Sequence, residues 1–333
     1  MNDFAPSNAA PAMPEVRLAA ASAGEIPCHD LADQAVSVPD QVHSLPSFFI
    51  VGPPRTGTTW LHSVLDGHTL LPGPTKETRF FDLHFQRGLS WYLRHYPRPA
   101  EGRRVGEVAP TYFASPEARE RILRSVPNAR VVCSFRNPVQ RLVSLYRVKR
   151  AYGMIPWSLE EAIDRDSELL ESSRYSSNLK AWRSAFGADN VLATIYDDLK
   201  LQPQSYMDKL LDFIGAPPLQ LTDAQVHHVH GSDAMTEPRN YYLTRTANSV
   251  AEWLKVRGLD ECVAWLRNTR LKRLLHGSGT PFSKVPPQLV RRLCDVFRPD
   301  IDELEGLLNR DLSAWKSPDG CLAERLSRTM QAA

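Results

Sequence analysis

The residue pattern with the clearest chemical meaning is GPPRTGTTW at residues 52–60, called here the phosphate loop. It lies between a short apolar run and an apolar-periodic stretch, so we predict a turn from a buried strand into a helix. Backbone N–H groups at such a helix N-terminus bind phosphate. The spacing of Gly52 and Gly57 fits the pattern G-x-x-x-x-G-K-[ST]. Thr58 stands where that pattern has lysine, and Arg55 supplies a cation from inside the loop instead.

A second anion-binding pattern, called here the arginine–serine motif, covers residues 136–144. Arg136 ends a predicted strand, and Arg141 and Ser144 lie on one face of the helix that follows. The arginine supplies forked donors and the serine a short hydroxyl, so both can converge on one dianion. By itself an arginine-rich helix is equally typical of a solvated surface.

A candidate general base lies between the two patterns, in the run KETRFFD at residues 76–82. A carboxylate in a cleft partly shielded from water can take the proton of an attacking hydroxyl, and Glu77 is our choice for that role. The neighbouring Lys76 and Arg79 would keep this carboxylate ionised. His84 is the reserve base, and an ordinary surface glutamate is the alternative that spacing alone leaves open.

Together these motifs resemble those of the sulfotransferases that use 3′-phosphoadenosine 5′-phosphosulfate (PAPS). Residues 54–60 are similar to the 5′-phosphosulfate loop of that family, and RNPVQRLVSLY at residues 136–146 is similar to its 3′-phosphate motif. The run KETRFFD resembles the K-E-x-x-F-F-D stretch of glycan sulfotransferases such as the heparan sulfate enzymes, in which the glutamate is the base.

The resemblance implies a role for each residue. Arg55 would contact the bridging or sulfuryl oxygens as an electrostatic rather than an acid catalyst, because arginine holds its proton too tightly. Lys76 would lie near the sulfuryl group or the acceptor. The predicted catalytic set is Glu77, Arg55 and Lys76, and the predicted PAPS-binding set is Arg55, Thr56, Gly57, Thr58, Thr59, Trp60, Arg136, Ser144 and Arg239.

Two later segments compete for the loop that closes over PAPS. One surrounds Arg239, and the other is the stretch before Lys284. The resemblance requires no metal ion, and the histidines at 227, 228 and 230 match no ligand pattern with the nearby carboxylates. We therefore predict PAPS as co-substrate without a metal.

Strands and helices that position these motifs alternate along the chain. The predicted strands are 47–51, 105–108, 130–135 and 191–196, and the predicted helices are 58–65, 116–125, 138–150 and 203–214. Residues 158–186 and the C-terminal third are expected to be largely helical, with the last strong helix at 299–308. This alternation favours an α/β fold, a single P-loop-like domain with a central, mainly parallel sheet flanked by helices.

Composition bounds the class of protein. The chain has 333 residues, 42% hydrophobic and 23% charged, with a formal net charge of +2. It is long enough for a sizeable core, and it is not a polybasic nucleic-acid binder. No apolar run reaches the roughly 18 residues of a membrane span. The five cysteines are scattered without a C-x-x-C, which favours reduced thiols.

The predicted organisation is an Ala/Pro-rich N-terminal arm at 1–44, a sulfotransferase domain at 45–320 and a tail at 321–333. The beginning of the chain has no secretory signal pattern, so we expect a cytoplasmic protein. The expected acceptor is a hydroxyl of a carbohydrate or small molecule, with a phenol or tyrosyl peptide as the alternative. We expect no nucleic acid partner, and the sequence leaves a homodimer open.

Two other functions remain open from the sequence. A P-loop kinase or NTPase could use Asp197 or Asp198, which follow a predicted strand, as a Mg²⁺ ligand. The missing phosphate-loop lysine argues against it. A non-catalytic nucleotide-binding protein is the other alternative, and the intact Glu77 argues against that.

Overall fold

A computed structural model describes residues 45–73, 75–97, 102–228, 236–238, 241–256 and 280–322 of the chain. The predicted arm at 1–44, Arg239 and residues 323–333 of the predicted tail lie outside the described residues. Among the described helices, none combines the length and apolar character that crossing a membrane requires.

The core of the fold is a parallel sheet of four strands in the order β2-β1-β3-β4. The strands are β1 (Phe48–Ile50), β2 (Gly106–Val108), β3 (Arg130–Phe135) and β4 (Val191–Ile195). Ile50 pairs with Val108 on one side and Val132 on the other, so β1 and β2 end level with each other while β3 continues to Phe135. The predicted α/β fold with a parallel sheet is confirmed.

The described helices follow the predicted alternation. They are α1 (Thr58–Leu65), α2 (Leu89–Leu93), α3 (Pro116–Ser125), α4 (Pro138–Ala151), α5 (Leu159–Arg165), α6 (Ser167–Glu171), α7 (Ser176–Phe186), α8 (Tyr196–Leu201), α9 (Pro203–Ile214), α10 (Asp223–His228), α11 (Tyr241–Val256), α12 (Pro287–Leu308) and α13 (Pro318–Leu322). A π-helical turn, Phe80–His84, follows the predicted base.

Alternation of side chains along β1 divides the core into two layers. Phe49 packs into a cluster with helices α3, α4, α7 and α12 on one face of the sheet. Phe48 and Ile50 pack on the other face against α1, α8 and α9. Helices therefore cover both faces, as a buried parallel sheet requires.

The last long helix differs from the prediction. It begins at Pro287, so Pro299 lies inside the helix and does not open it. Proline in a helix interior removes one backbone hydrogen bond. The buried face nevertheless continues across it, from Leu293 and Phe297 to Ile301 and Leu304. Burial of that continuous apolar stripe outweighs the local cost of the proline.

Candidate active site

The phosphate loop leaves the carboxyl end of β1 pressed against the backbone of β3. A Cβ atom on Gly52 would lie 2.5 Å from the Ser134 backbone nitrogen and 2.8 Å from its carbonyl oxygen. The Ser134 hydroxyl donates to the Thr56 carbonyl at 3.0 Å. Gly57 has a φ of 92°, which lets the chain turn into α1 at Thr58. The two glycines thus serve different ends: Gly52 gives close approach, and Gly57 gives a left-handed turn.

We therefore expect Gly52→Ala to destabilise the protein, by about 1–3 kcal/mol or more, as overpacking against rigid backbone does. Urea unfolding measures this loss. Gly306→Ala is the matched control: it lies in helix α12 with open space around it, so alanine should stabilise by about 0.5–1 kcal/mol. Equal stability of Gly52→Ala and the wild-type protein would contradict the close approach.

Two buried arginines of the arginine–serine motif hold the backbone of the phosphate loop. Arg141 donates from Nε to the Pro54 carbonyl at 2.9 Å, and Arg136 donates from Nη1 to the Arg55 carbonyl at 3.4 Å. Between these contacts Arg55 adopts a φ of 77°, which is strained for a residue with a side chain. The loop conformation is thus imposed by side chains far along the sequence.

The side chain of Arg55 joins the two predicted anion-binding patterns. Its Nε donates to the Ser144 hydroxyl at 2.9 Å, although the residues are 89 positions apart. Burial lowers the pKa of Arg141, and the nearby positive charges of Arg136 and Arg55 lower it further. Three guanidinium groups are therefore concentrated at one place, as a site for a polyanion requires.

Arg136 is itself held in position by neighbouring elements. It is 6% exposed, and its guanidinium carbon lies 4.8 Å from the centre of the Tyr196 ring. The Tyr175 hydroxyl donates to the Arg136 carbonyl at 2.9 Å. Asn137 caps α4 by accepting from the backbone N–H groups of residues 139 and 140. Arg136 can turn only a limited part of its guanidinium toward a ligand, which favours one defined contact.

Lys76 connects Glu77 to the phosphate loop. Lys76 Nζ is 3.3 Å from Glu77 Oε1 and 3.5 Å from the Thr59 hydroxyl at the start of α1. The side chains of Lys76 and Glu77 are 28% and 27% exposed, so both can be reached from solvent. The other cation expected beside Glu77, Arg79, instead binds Asp82 at 2.7 Å. Lys76 is therefore the cation in contact with the candidate base.

Several residues of the predicted PAPS-binding set face inward. Thr56 is fully buried and its hydroxyl donates to the Pro53 carbonyl at 2.8 Å, so it stiffens the loop. Thr58 is buried, whereas Thr59 is exposed. Trp60 packs in the core with its Nε1 donating to the Gln225 carbonyl at 2.8 Å. Of these three threonines, Thr59 is the one whose side chain a ligand can reach from solvent.

The reserve candidates take other positions. The His84 ring packs on the Trp91 ring with centroids 5.4 Å apart. Asp198 forms an ion pair with Arg310, and Asp197 accepts from the indole N–H of Trp315 at 3.1 Å. Both carboxylates therefore have structural partners. Within the described ranges no group of three or more histidine, cysteine or acidic residues could hold a metal ion.

Two buried residues support the site in a way that sequence reasoning did not predict. Arg141 is fully buried and binds the hydroxyls of Ser172 and Ser173 at 3.0 and 2.6 Å. Glu107 is also fully buried, in the middle of β2. For Glu107 the available signal was a charged residue inside an otherwise apolar strand. Nothing in the sequence near Ser172 indicated that it binds Arg141.

Comparison with known proteins gives a consistent family. A family model described as a sulfotransferase domain matches residues 45–257. A relative from Caenorhabditis elegans, named bifunctional heparan sulfate N-deacetylase/N-sulfotransferase 1, is 28% identical over 213 residues, which are 57% of this chain and 25% of the relative. A human relative, named bifunctional heparan sulfate N-deacetylase/N-sulfotransferase 2, is 27% identical over 58% of this chain and 24% of the relative. The chain thus spans about a quarter of the length of these curated relatives.

A solved structure supports the fold. The crystal structure of a sulfotransferase from Alicyclobacillus acidocaldarius covers 82% of this chain and 100% of its own chain, with a TM-score of 0.60 and 21% identity. At that identity the likeness concerns the arrangement of strands and helices.

Proposed function

Because this chain belongs to the sulfotransferase domain family, we propose that it transfers the sulfuryl group of PAPS to a hydroxyl or amine of a glycan or small-molecule acceptor. PAPS is the sulfuryl donor of this family. In the proposal Arg136 and Ser144 bind the 3′-phosphate, and the phosphate loop binds the 5′-phosphosulfate.

One observation carries the proposal: Lys76 Nζ lies between Thr59 Oγ1, at 3.5 Å, and Glu77 Oε1, at 3.3 Å. The Lys76 amine thus contacts both the candidate base and the first turn of the helix that follows the phosphate loop. A protein that only binds a nucleotide needs no carboxylate at the anion site, because a negative charge there opposes binding of the negative ligand.

The proposed reaction is an in-line transfer. Glu77 takes the acceptor proton while the acceptor oxygen or nitrogen bonds to sulfur, and the bond from sulfur to the bridging oxygen breaks, releasing adenosine 3′,5′-bisphosphate (PAP). Negative charge grows on that oxygen. Arg55, Lys76 and the loop N–H groups stabilise it, and such positioned donors supply most of the catalysis in related phosphoryl transfers.

The acceptor class rests on the relatives. Two of them are named for heparan sulfate N-sulfotransferase activity, which acts on a glycan amine. The candidate base here is a carboxylate, which suits an alcohol or an ammonium group that must lose a proton. We therefore propose a glycan hydroxyl or amine before a phenol or tyrosyl peptide.

The first test is ligand-dependent thermal stability. PAP at about 100 times its dissociation constant should stabilise the folded state by roughly 2.7 kcal/mol. AMP, which lacks the 3′-phosphate, should stabilise much less at equal concentration. Mg²⁺-ATP and ADP complete the comparison.

Stabilisation by Mg²⁺-ATP alone would overturn the proposal in favour of a kinase or NTPase. Binding of PAP without transfer to any member of an acceptor panel would favour a non-catalytic protein. The panel consists of a de-N-sulfated heparan oligosaccharide, an alkyl glycoside, 4-nitrophenol and a tyrosyl peptide. Transfer is measured as PAP formed from PAPS.

A further inference from the structure

Glu107 is a fully buried carboxylate that the proposed reaction does not use directly. It lies on β2, where it pairs with Phe49 of β1. Its Oε1 accepts from the Thr78 backbone N–H at 3.1 Å and from the Thr78 hydroxyl at 2.7 Å. Its Oε2 accepts from the Tyr92 hydroxyl at 2.8 Å. Burying a carboxylate costs free energy unless hydrogen-bond donors surround it, and the donors around Glu107 are neutral groups.

The donors around Glu107 have a fixed direction. The Tyr92 and Tyr96 hydroxyls are 2.7 Å apart, so Tyr96 can donate to Tyr92 while Tyr92 donates to the carboxylate. Burial and the negative charge of Glu107 raise the pKa of both tyrosines, which keeps them protonated as donors. Burial also raises the pKa of Glu107, and hydrogen bonds from Thr78 and Tyr92 oppose that rise. The Glu107 carboxylate thus accepts hydrogen bonds from the Thr78 and Tyr92 side chains.

The Thr78 contact reaches the candidate base through a single peptide group. The N–H of Thr78 belongs to the peptide bond that joins it to Glu77, so its hydrogen bond fixes the plane next to the Glu77 Cα. The following backbone is held by the same cluster. Phe80 N–H donates to the Thr78 hydroxyl at 3.1 Å, and Phe81 N–H donates to the Tyr112 hydroxyl at 3.3 Å.

Backbone strain shows that this segment needs external support. Arg79, between Thr78 and Phe80, adopts a φ of 53°, in the left-handed region that residues with side chains avoid. Such a conformation persists when surrounding contacts over-determine it. The contacts here converge on Glu107 and Tyr112, whose hydroxyl also lies 3.3 Å from Glu107 Oε1.

We propose that Glu107 is a positioning residue for Glu77: its carboxylate holds the peptide between Glu77 and Thr78, and so directs the Glu77 side chain toward Lys76 and the phosphate loop. This inference rests on the proposed function, in which Glu77 is the base. A catalytic group displaced by about 1 Å can cost about a hundredfold in rate.

Replacing Glu107 with glutamine removes the negative charge and keeps the shape of the side chain. Glu107→Gln keeps the volume and one acceptor oxygen, but it removes the negative charge, and hydrogen bonds from Thr78 to a neutral carbonyl are weaker than those to a carboxylate. The Thr78 contacts therefore weaken while the core stays filled. We expect turnover to fall about tenfold to a hundredfold, with the PAPS Michaelis constant and PAP-induced stabilisation nearly unchanged.

The deciding measurement is a double-mutant cycle with Glu77→Gln, using the panel acceptor that the wild-type protein sulfates fastest. If Glu107 acts through Glu77, Glu107→Gln should lower turnover in the wild-type background and change it little in the Glu77→Gln background. Equal losses in both backgrounds would overturn the positioning role and leave the proposed function intact. Normal turnover of Glu77→Gln alone would remove the base, and with it this inference.

Two further variants keep the test decisive if Glu107→Gln does not fold. Thr78→Val removes the hydroxyl donor and should lower turnover, whereas Thr78→Ser keeps it and should restore turnover. Tyr96→Phe is the matched control, because it removes a hydroxyl from the same cluster without touching Thr78. A loss in Tyr96→Phe as large as in Thr78→Val would assign the effect to general core packing and overturn the proposal.

Discussion

Glu77→Gln should lower turnover at least about a hundredfold, the usual scale for a lost general base. Glutamine retains the size of the side chain but cannot take a proton from the acceptor. The expected site of that transfer is the partly exposed Glu77 carboxylate, whose Oε1 lies 3.3 Å from Lys76 Nζ. PAP affinity should stay the same or rise slightly, because one negative charge beside the anion site disappears.

The measurement pairs turnover with calorimetric binding of PAP for each variant. Glu120→Gln is the matched control, since Glu120 is an exposed glutamate on α3 paired with Arg124. That control should behave as the wild-type protein does in both assays. Near-normal turnover of Glu77→Gln would exclude this residue as the base, and His84→Ala would then be the next variant to assay.

Arg136→Ala should lower the affinity for PAP about 10- to 150-fold and the affinity for AMP much less, because its hydrogen bond to the phosphate loop, to the Arg55 carbonyl at 3.4 Å, is long. The estimate corresponds to about 1.5–3 kcal/mol for a hydrogen bond to a charged group. Arg136 is 6% exposed, and its guanidinium is held over the Tyr196 ring, 4.8 Å from the ring centre. A preorganised guanidinium loses little side-chain entropy on binding a phosphate, so its removal is costly.

Arg141→Ala provides the contrasting result. Its guanidinium is fully buried and donates to the Pro54 carbonyl of the phosphate loop at 2.9 Å. Removing it should weaken PAP and AMP alike, because both need the loop. If Arg136→Ala weakened AMP as strongly as PAP, its contact with the loop would explain the whole loss, and Arg136 would not recognise the 3′-phosphate.

Sequence patterns predicted the architecture well because they report local preferences. The bounds of α1, at Thr58–Leu65, and of β3, at Arg130–Phe135, agree with the predicted ones. Apolar periodicity, and the glycines and prolines that flank an element, are patterns of neighbouring residues, so they can be read directly from the sequence. The same locality explains the error at Pro299, where a strong local signal was outweighed by burial across the whole of α12.

The ion-pair partners of charged side chains were harder to predict than the bounds of helices and strands. Lys76 and Arg79 flank Glu77 closely in the sequence, yet Arg79 forms its ion pair with Asp82 at 2.7 Å. The π-helical turn Phe80–His84 begins just after Arg79 and brings Asp82 to it. Which of two nearby cations reaches a carboxylate depends on backbone dihedral angles that residue types do not specify.

Residue types and spacing were enough to predict the parallel α/β fold, the two anion-binding patterns and the candidate base. How these parts meet is visible in the folded chain alone: Arg55 reaches Ser144 across 89 positions, Arg141 turns inward to the Pro54 carbonyl, and Glu107 accepts from the N–H of the peptide after Glu77. These contacts follow from the strand order. Because β1 lies between β2 and β3, residues from distant segments are brought to one edge of the sheet, and hydrogen bonds form between whichever groups that edge aligns.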